Sequence, residues 1–212
     1  MAGSLTSGVW KPQGPPPPVP DDPGGGSGGG RGASRRATFT GLFVAMASIV
    51  MFFAAFTSAL VVRRGLSNDW LPTPLPGILW LNTALLLASS AALEMGRRAL
   101  RAGAREAFNR YWTGGTLLGA LFLGGQYLAW QQLLGAGIYI STNPSSSFFY
   151  LLTAVHALHI AGGMAALLYV NVQALRLRLG PSKRTAVDVT AVYWHFVDVL
   201  WIYLLLLFLI WG

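Results

Sequence analysis

Five long apolar segments, separated by short polar stretches, form the dominant pattern of the chain. They lie near residues 39–62, 77–96, 112–134, 147–174 and 189–211. Each segment is long enough to cross about 30 Å of hydrocarbon as an α-helix, and none shows the weak alternation of an outer-membrane barrel strand. The pattern therefore predicts an all-α fold, a bundle of five transmembrane helices within residues 38–212.

The segment before this bundle has a different pattern. Residues 1–37 include four consecutive prolines at 15–18 and a glycine-rich run at 24–30. Such a segment cannot bury enough apolar surface to fold, and it lacks the continuous apolar core of a signal peptide. We expect a disordered Pro/Gly-rich tail on the cytoplasmic side.

Composition agrees with a membrane protein. The chain is 53% hydrophobic and 10% charged, whereas about a quarter of a soluble domain is charged. The sequence has no cysteine, which excludes disulfides, thiolate metal sites and c-type haem attachment within it. The net charge of +8 does not indicate nucleic-acid binding, because the basic residues lie beside apolar segments rather than on one soluble face.

The basic residues are distributed unequally between the two ends of the predicted helices. All but two of the 15 Lys and Arg residues lie in the tail or in the loops after the second and fourth segments. The exceptions are Arg63 and Arg64. Because short loops rich in Lys and Arg stay in the cytoplasm, we expect a cytoplasmic N-terminus and a C-terminus on the periplasmic side.

Histidines are the main candidates for chemistry in the fourth segment. His156 and His159 follow Thr153 and share one helix face, a spacing that can bind a metal. Only one other histidine, His195, exists in the chain, so two haems with paired histidine ligands are excluded. A single haem held by His195 and either of the others is an alternative. We expect instead that the histidines bond to neighbouring helices.

The last segment carries an ionisable pair. His195 and Asp198 are three residues apart and can pair directly on a helix. The pair either carries protons or holds the helix packing, and we favour the packing role. Glu94 lies close to a basic loop, so we expect it to pair with Arg97 or Arg98.

Small residues predict close helix contacts in two segments. Gly115 and Gly119 form one small face, and Gly162 and Gly163 could form another; the pattern does not show what packs against them. No nucleophile–base pair, phosphate loop or carboxylate dyad is evident, so the chain alone does not resemble a catalyst. A small transporter or channel is an alternative from another class.

Several segments resemble subunit III of haem–copper respiratory oxidases. They are Asn82-Thr83 with Ser89-Ser90, the segment 126–130 that begins with Gln126, the segment 149–159, and Trp194 to Trp201 with the terminal Trp211-Gly212. The resemblance covers residues 38–212 and implies the short, five-helix form of the family. One departure is Ile49, which stands where many members have a buried glutamate.

The resemblance also implies a function. The chain would be a non-catalytic subunit of a proton-pumping terminal oxidase in the bacterial cytoplasmic membrane, which reduces oxygen to water in aerobic respiration. It would pack against the catalytic subunit I, with subunits II and IV, and support its stability and proton uptake. Haem and copper would lie in the partner subunits and none in this chain, although a bound phospholipid is expected. The expected electron donor is cytochrome c; a quinol oxidase is the alternative.

The residues expected to serve this role are structural rather than catalytic. Polar packing and interface positions are Gln126, Thr153, His156, His159, Trp194, His195 and Asp198. Helix-packing positions are the four glycines named above.

Overall fold

The structure, a computed structural model, describes residues 29–66, 71, 74–176 and 184–211, with side chains from Arg35 onward. These residues contain five α-helices and no strand: α1 (Gly29–Leu66), α2 (Ile78–Arg101), α3 (Arg105–Gly135), α4 (Pro144–Leu175) and α5 (Arg184–Trp211). The all-α prediction is confirmed. The first 28 residues of the predicted tail, Pro72, Lys183 and Gly212 lie outside the described residues.

The helices are longer than the apolar pattern predicts. Helix α1 begins at Gly29, so residues 29–37, which we expected in a disordered tail, are helical. Helices α2 and α3 include the arginines that we placed in a loop, and only Ala102, Gly103 and Ala104 separate them. The reason is that apolar character ends at the first charge, whereas helical hydrogen bonding continues through it.

Among the five helices that the structure describes, four are long and apolar enough to cross a membrane: α1, α2, α4 and α5. Helix α3 has 31 residues but is less apolar, because glycines, tryptophans and glutamines interrupt its leucines. It nevertheless runs beside α4 along the bundle. Thr113 donates a hydrogen bond to Asn171 Oδ1 at one end (2.9 Å), and Trp130 donates to Thr153 Oγ1 towards the other (3.2 Å).

Successive helices run in opposite directions. One end of the bundle, here called the arginine end, joins the start of α1, the end of α2 and the start of α5 through ion pairs with Asp188. At the opposite end, the Arg64 guanidinium on α1 donates to the carbonyl of Ile210 on α5 (3.2 Å). A cation near a helix C-terminus is favourable.

Helix α5 is the centre of the bundle. Its buried residues recur every three or four positions, which is the spacing of one helix face. This face includes Trp194, Asp198 and Trp201, and it packs against α2 and α4. Helix α1 lies at the edge of this core: it contributes the buried Phe53 and Leu60, its contacts among the described helices are with α4 and α5, and most of its apolar surface is exposed.

Candidate functional site

Three polar side chains from two helices meet within the bundle. The Nδ1 atom of His195 lies 2.9 Å from Ser90 Oγ, and the same hydroxyl donates a hydrogen bond to Asp198 Oδ2. Asp198 is buried, whereas His195 is partly exposed. We predicted a direct pair between His195 and Asp198; the described structure instead places Ser90 of α2 between them.

The hydroxyl of Ser90 determines which group donates in each of these two hydrogen bonds. A serine has a single O–H, so when Ser90 donates to the carboxylate, His195 Nδ1 must carry a proton and donate to Ser90. If Asp198 is protonated, both bonds can reverse. The three side chains, hereafter the Ser90 relay, can therefore hold one proton at either end and pass it through the hydroxyl.

The arginine end lies beside the relay. Arg97 donates to Asp188 Oδ1 through Nε and Nη2 (3.2 and 3.1 Å) and to Glu94 Oε2 through Nη1 (2.9 Å). Arg98 donates to Glu94 Oε1 (3.2 Å), which confirms the predicted partners of Glu94. Arg101 also approaches Asp188 Oδ1 (3.6 Å). Asp188 thus joins α5 to α2, whereas Glu94 pairs with arginines of its own helix.

His156 lies deeper and is surrounded by aromatic rings. Its ring stacks on Trp201 with centroids 5.3 Å apart and meets the edge of Phe122 at 6.5 Å. Neither ring nitrogen has a hydrogen-bond partner within the described residues. The prediction that His156 bonds to a neighbouring helix is therefore wrong for the part of the chain that the structure describes.

His159 and Thr153 have separate roles on α4. His159 Nδ1 donates to the Val155 carbonyl of its own helix (2.7 Å), not to a neighbour as predicted, and its ring lies against Phe53 of α1. Thr153 is buried and accepts the bond from Trp130. Within the described ranges, His195 is the one histidine whose side chain bonds to another helix.

The structure places the three histidines in different surroundings. Within the described ranges, no three His, Cys, Asp or Glu side chains lie close enough to hold a metal ion. The three imidazoles also have three different sets of neighbours: Trp201 for His156, Phe53 for His159 and Ser90 for His195.

Most of the predicted small residues contact other helices of this chain. A Cβ at Gly115 would meet Leu93 of α2 at 2.8 Å, and one at Gly119 would meet Trp194 of α5 at 2.7 Å. Gly163 lies against Tyr193 and Trp194, whereas a Cβ at Gly162 would contact nothing within 4 Å. The small faces therefore serve packing inside the bundle.

Ile49 and an open cavity mark the border between α1 and the rest of the bundle. Ile49 is partly buried and packs against the hydrophobic core, so it makes an apolar contact at this position. Near the C-terminal end of α1, a cavity of about 680 Å³ opens towards the start of α4. Its lining includes Arg63, Ser141, Thr142, Asn143, Ser147 and Phe148.

Comparisons with known proteins show the family of the chain. A model of the family described as cytochrome c oxidase subunit III matches residues 38–212. The probable cytochrome c oxidase subunit 3 of Nocardia farcinica is 34% identical over 166 residues, covering 76% of this chain and 82% of that protein. The probable subunit 3 of Mycobacterium tuberculosis is 33% identical with the same coverage. The cytochrome c oxidase subunit 3 of Thermostichus vulcanus is 31% identical, covering 77% and 82%.

Proposed function

The chain belongs to the cytochrome c oxidase subunit III family, and we propose that it is the non-catalytic subunit that supports the stability and proton uptake of subunit I. As a subunit III it is a multi-pass membrane protein that associates with other oxidase subunits. The observation that supports this most strongly is the family match over residues 38–212, which covers α1 from residue 38 and all of α2 to α5. Proposed partners are subunits I, II and IV, and the proposed haem and copper sites lie in those partners.

The Ser90 relay supports the part of the proposal that concerns proton uptake. It leads from the partly exposed His195 to the buried Asp198, and it begins beside the ion pairs of the arginine end. A buried carboxylate joined by hydrogen bonds to a half-exposed histidine can exchange a proton with the surface. The relay is polar where lipid would favour apolar residues.

A mild-detergent purification from the native membrane tests the assignment. The tagged chain should bring down a large haem–copper subunit, identified by mass spectrometry, and the absorbance of haem should be lost when the chain is then isolated. A chain that purifies alone, or that keeps its own haem, would contradict the proposal.

The proposed electron donor is cytochrome c. Support comes from the relatives, since those from Nocardia farcinica, Mycobacterium tuberculosis and Thermostichus vulcanus are each named as subunits of a cytochrome c oxidase. The purified complex should oxidise reduced cytochrome c faster than a quinol. Oxidation of quinol alone would assign the chain to a quinol oxidase instead.

The proposed location is the bacterial cytoplasmic membrane with the arginine end in the cytoplasm. The excess of Lys and Arg at that end supports this orientation. Because the chain has no cysteine, a single introduced cysteine can be labelled to determine the orientation. In right-side-out vesicles, an impermeant maleimide should label Ser141→Cys and not Ala104→Cys. The reverse pattern would overturn the orientation.

A bound phospholipid is proposed at the cavity between α1 and α4. Hydroxyl groups and Arg63 line this cavity, and apolar surface of α1 lies beside it, so both a headgroup and an acyl chain would find suitable contacts. Mass spectrometry of the purified complex should detect retained phospholipid, and Phe148→Trp, which reduces the cavity, should lower its amount. Equal retention in both proteins would contradict this location.

A further inference from the structure

Several buried polar side chains carry atoms without a hydrogen-bond partner among the described residues, and three of these side chains lie between α2, α3 and α4. They are Asn82 of α2, Gln126 of α3 and His156 of α4, which are 1%, 2% and 1% exposed. The unpaired atoms are Nδ2 of Asn82, Nε2 and Oε1 of Gln126, and both ring nitrogens of His156. None of them belongs to the Ser90 relay, and the proposed function does not use them.

Helix α3 brings these side chains into one layer. The amide of Asn82 lies against Gly125, where an added Cβ would stand 2.7 Å from Asn82 Cγ, and Gln126 is the next residue. One turn earlier on the same buried face, Phe122 contacts the ring of His156. Gln126 therefore follows directly after the position that meets Asn82 and lies one turn after the position that meets His156, so α3 brings the three side chains to the same part of the bundle.

Trp201 of α5 closes this layer. Its ring stacks on His156 and meets Phe122 edge-on with centroids 5.2 Å apart. Its indole Nε1 donates to Oγ1 of Thr83 (3.0 Å), the residue after Asn82. Four helices thus enclose the polar groups and separate them from lipid.

This enclosure limits what can satisfy the unpaired atoms. A buried polar group without a partner is destabilising, and lipid cannot supply a hydrogen bond at membrane depth. Side chains that are at most 2% exposed are also out of reach of another subunit or a lipid headgroup. The partner must be small and held inside the bundle.

The chemistry of the unpaired atoms identifies that partner. A neutral imidazole presents one donor and one acceptor, so the layer offers donors from all three residues and acceptors from Gln126 and His156. A cation would meet the donors unfavourably, and an anion would leave the acceptors unpaired. A water molecule both donates and accepts, and it bridges groups that are too far apart for direct bonds.

We propose that Asn82, Gln126 and His156 form an internal water-binding site that links α2, α3 and α4. At least one hydrogen bond to each of three donor groups and two acceptor atoms requires about two water molecules, each of which can donate and accept two hydrogen bonds. The site is hydrated and polar on one side and closed by the rings of Phe122 and Trp201 on the other. This water site does not depend on whether the oxidase oxidises cytochrome c or quinol.

Electron cryo-microscopy of the intact oxidase, at a resolution that shows ordered waters, tests the site. We expect separate density peaks about 2.7–3.2 Å from Gln126 and from a ring nitrogen of His156. A map in which the amides and the imidazole bond directly to one another, with no separate peak, would overturn the proposal. This test on the unchanged chain does not depend on any variant folding.

A pair of variants then assigns the peaks to the site. Gln126→Leu should lose the peak beside residue 126, whereas Gln132→Leu, which changes an exposed glutamine of the same helix, should keep it. A peak that persists in Gln126→Leu would show that this residue does not bind the water and would contradict the proposed ligand set.

Discussion

Replacing Gly119 by alanine tests the close contact between α3 and α5. The new Cβ would lie 2.7 and 2.8 Å from Cζ2 and Cη2 of Trp194 and 2.9 Å from Cε of Met164. The methionine end can move, but Trp194 is 0% exposed and its ring is rigid. Either the ring or one helix must therefore shift to admit one methyl group.

The energetic cost combines two opposing effects. Overpacking a well-packed core costs about 1–3 kcal/mol, whereas alanine favours a helix over glycine by about 1 kcal/mol. Gly124→Ala is a matched control, because a Cβ at Gly124 would contact nothing within 4 Å and only the favourable effect remains. The difference between the two variants should equal the overpacking cost.

Thermal unfolding in a mild detergent measures this difference. For a chain of this size, about 1–3 kcal/mol corresponds to a Tm about 2–12 °C lower for Gly119→Ala than for Gly124→Ala. The intact complex provides the same comparison if the isolated chain is too unstable. Equal Tm values for the two variants would refute the contact between Gly119 and Trp194.

Two further predictions concern polar contacts. Ser90→Ala should lower the free energy of unfolding by about 1–3 kcal/mol, because the buried Asp198 loses its only hydrogen-bond donor among the described residues. The control Ser48→Ala changes an exposed serine and should have little effect. Equal Tm values for the two variants would contradict the relay. Asp188→Asn should cost roughly 1 kcal/mol more than the exposed Glu106→Gln, because it weakens contacts with three arginines. The difference in Tm should shrink in high salt, and a salt-independent difference would argue against ion pairing.

The sequence predicts the helices well and their ends poorly. Hydropathy locates a helix wherever lipid is a favourable neighbour, and this is why α1, α2, α4 and α5 all meet the criterion for a span. A helix predicted from hydropathy ends at the first charged residues. Helix α2 nevertheless continues through Arg97 and Arg98, because their side chains reach Asp188 and Glu94. The ends depend on ion pairs with another helix, which no single segment reveals.

Spacing along one helix also predicts only part of the candidate site. His195 and Asp198 are near neighbours on α5, as their separation indicates, but the group that connects them belongs to α2. The Ser90 hydroxyl is small enough to approach both side chains, and its position depends on how α2 packs against α5. Packing between helices, rather than periodicity, therefore decides which polar groups meet.

The glycines illustrate the same dependence on tertiary contacts. Gly162 and Gly163 are adjacent and equally small, but only Gly163 faces Tyr193 and Trp194. A sequence pattern identifies residues that permit close approach, and the partner helix determines which of them is needed. Gly163→Ala should consequently be more disruptive than Gly162→Ala.

Polar groups inside this bundle have a physical reason to persist. Between helices in a membrane, apolar contacts resemble those with lipid, so shape and hydrogen bonding must supply specificity. The Ser90 relay joins α2 to α5, and Trp201 with Thr83 joins them again farther along the helices. A rotation of α5 would break both contacts and leave Asp198 without its hydroxyl partner. The buried polar residues thus restrict α5 to one orientation, which an apolar face of leucines would not do.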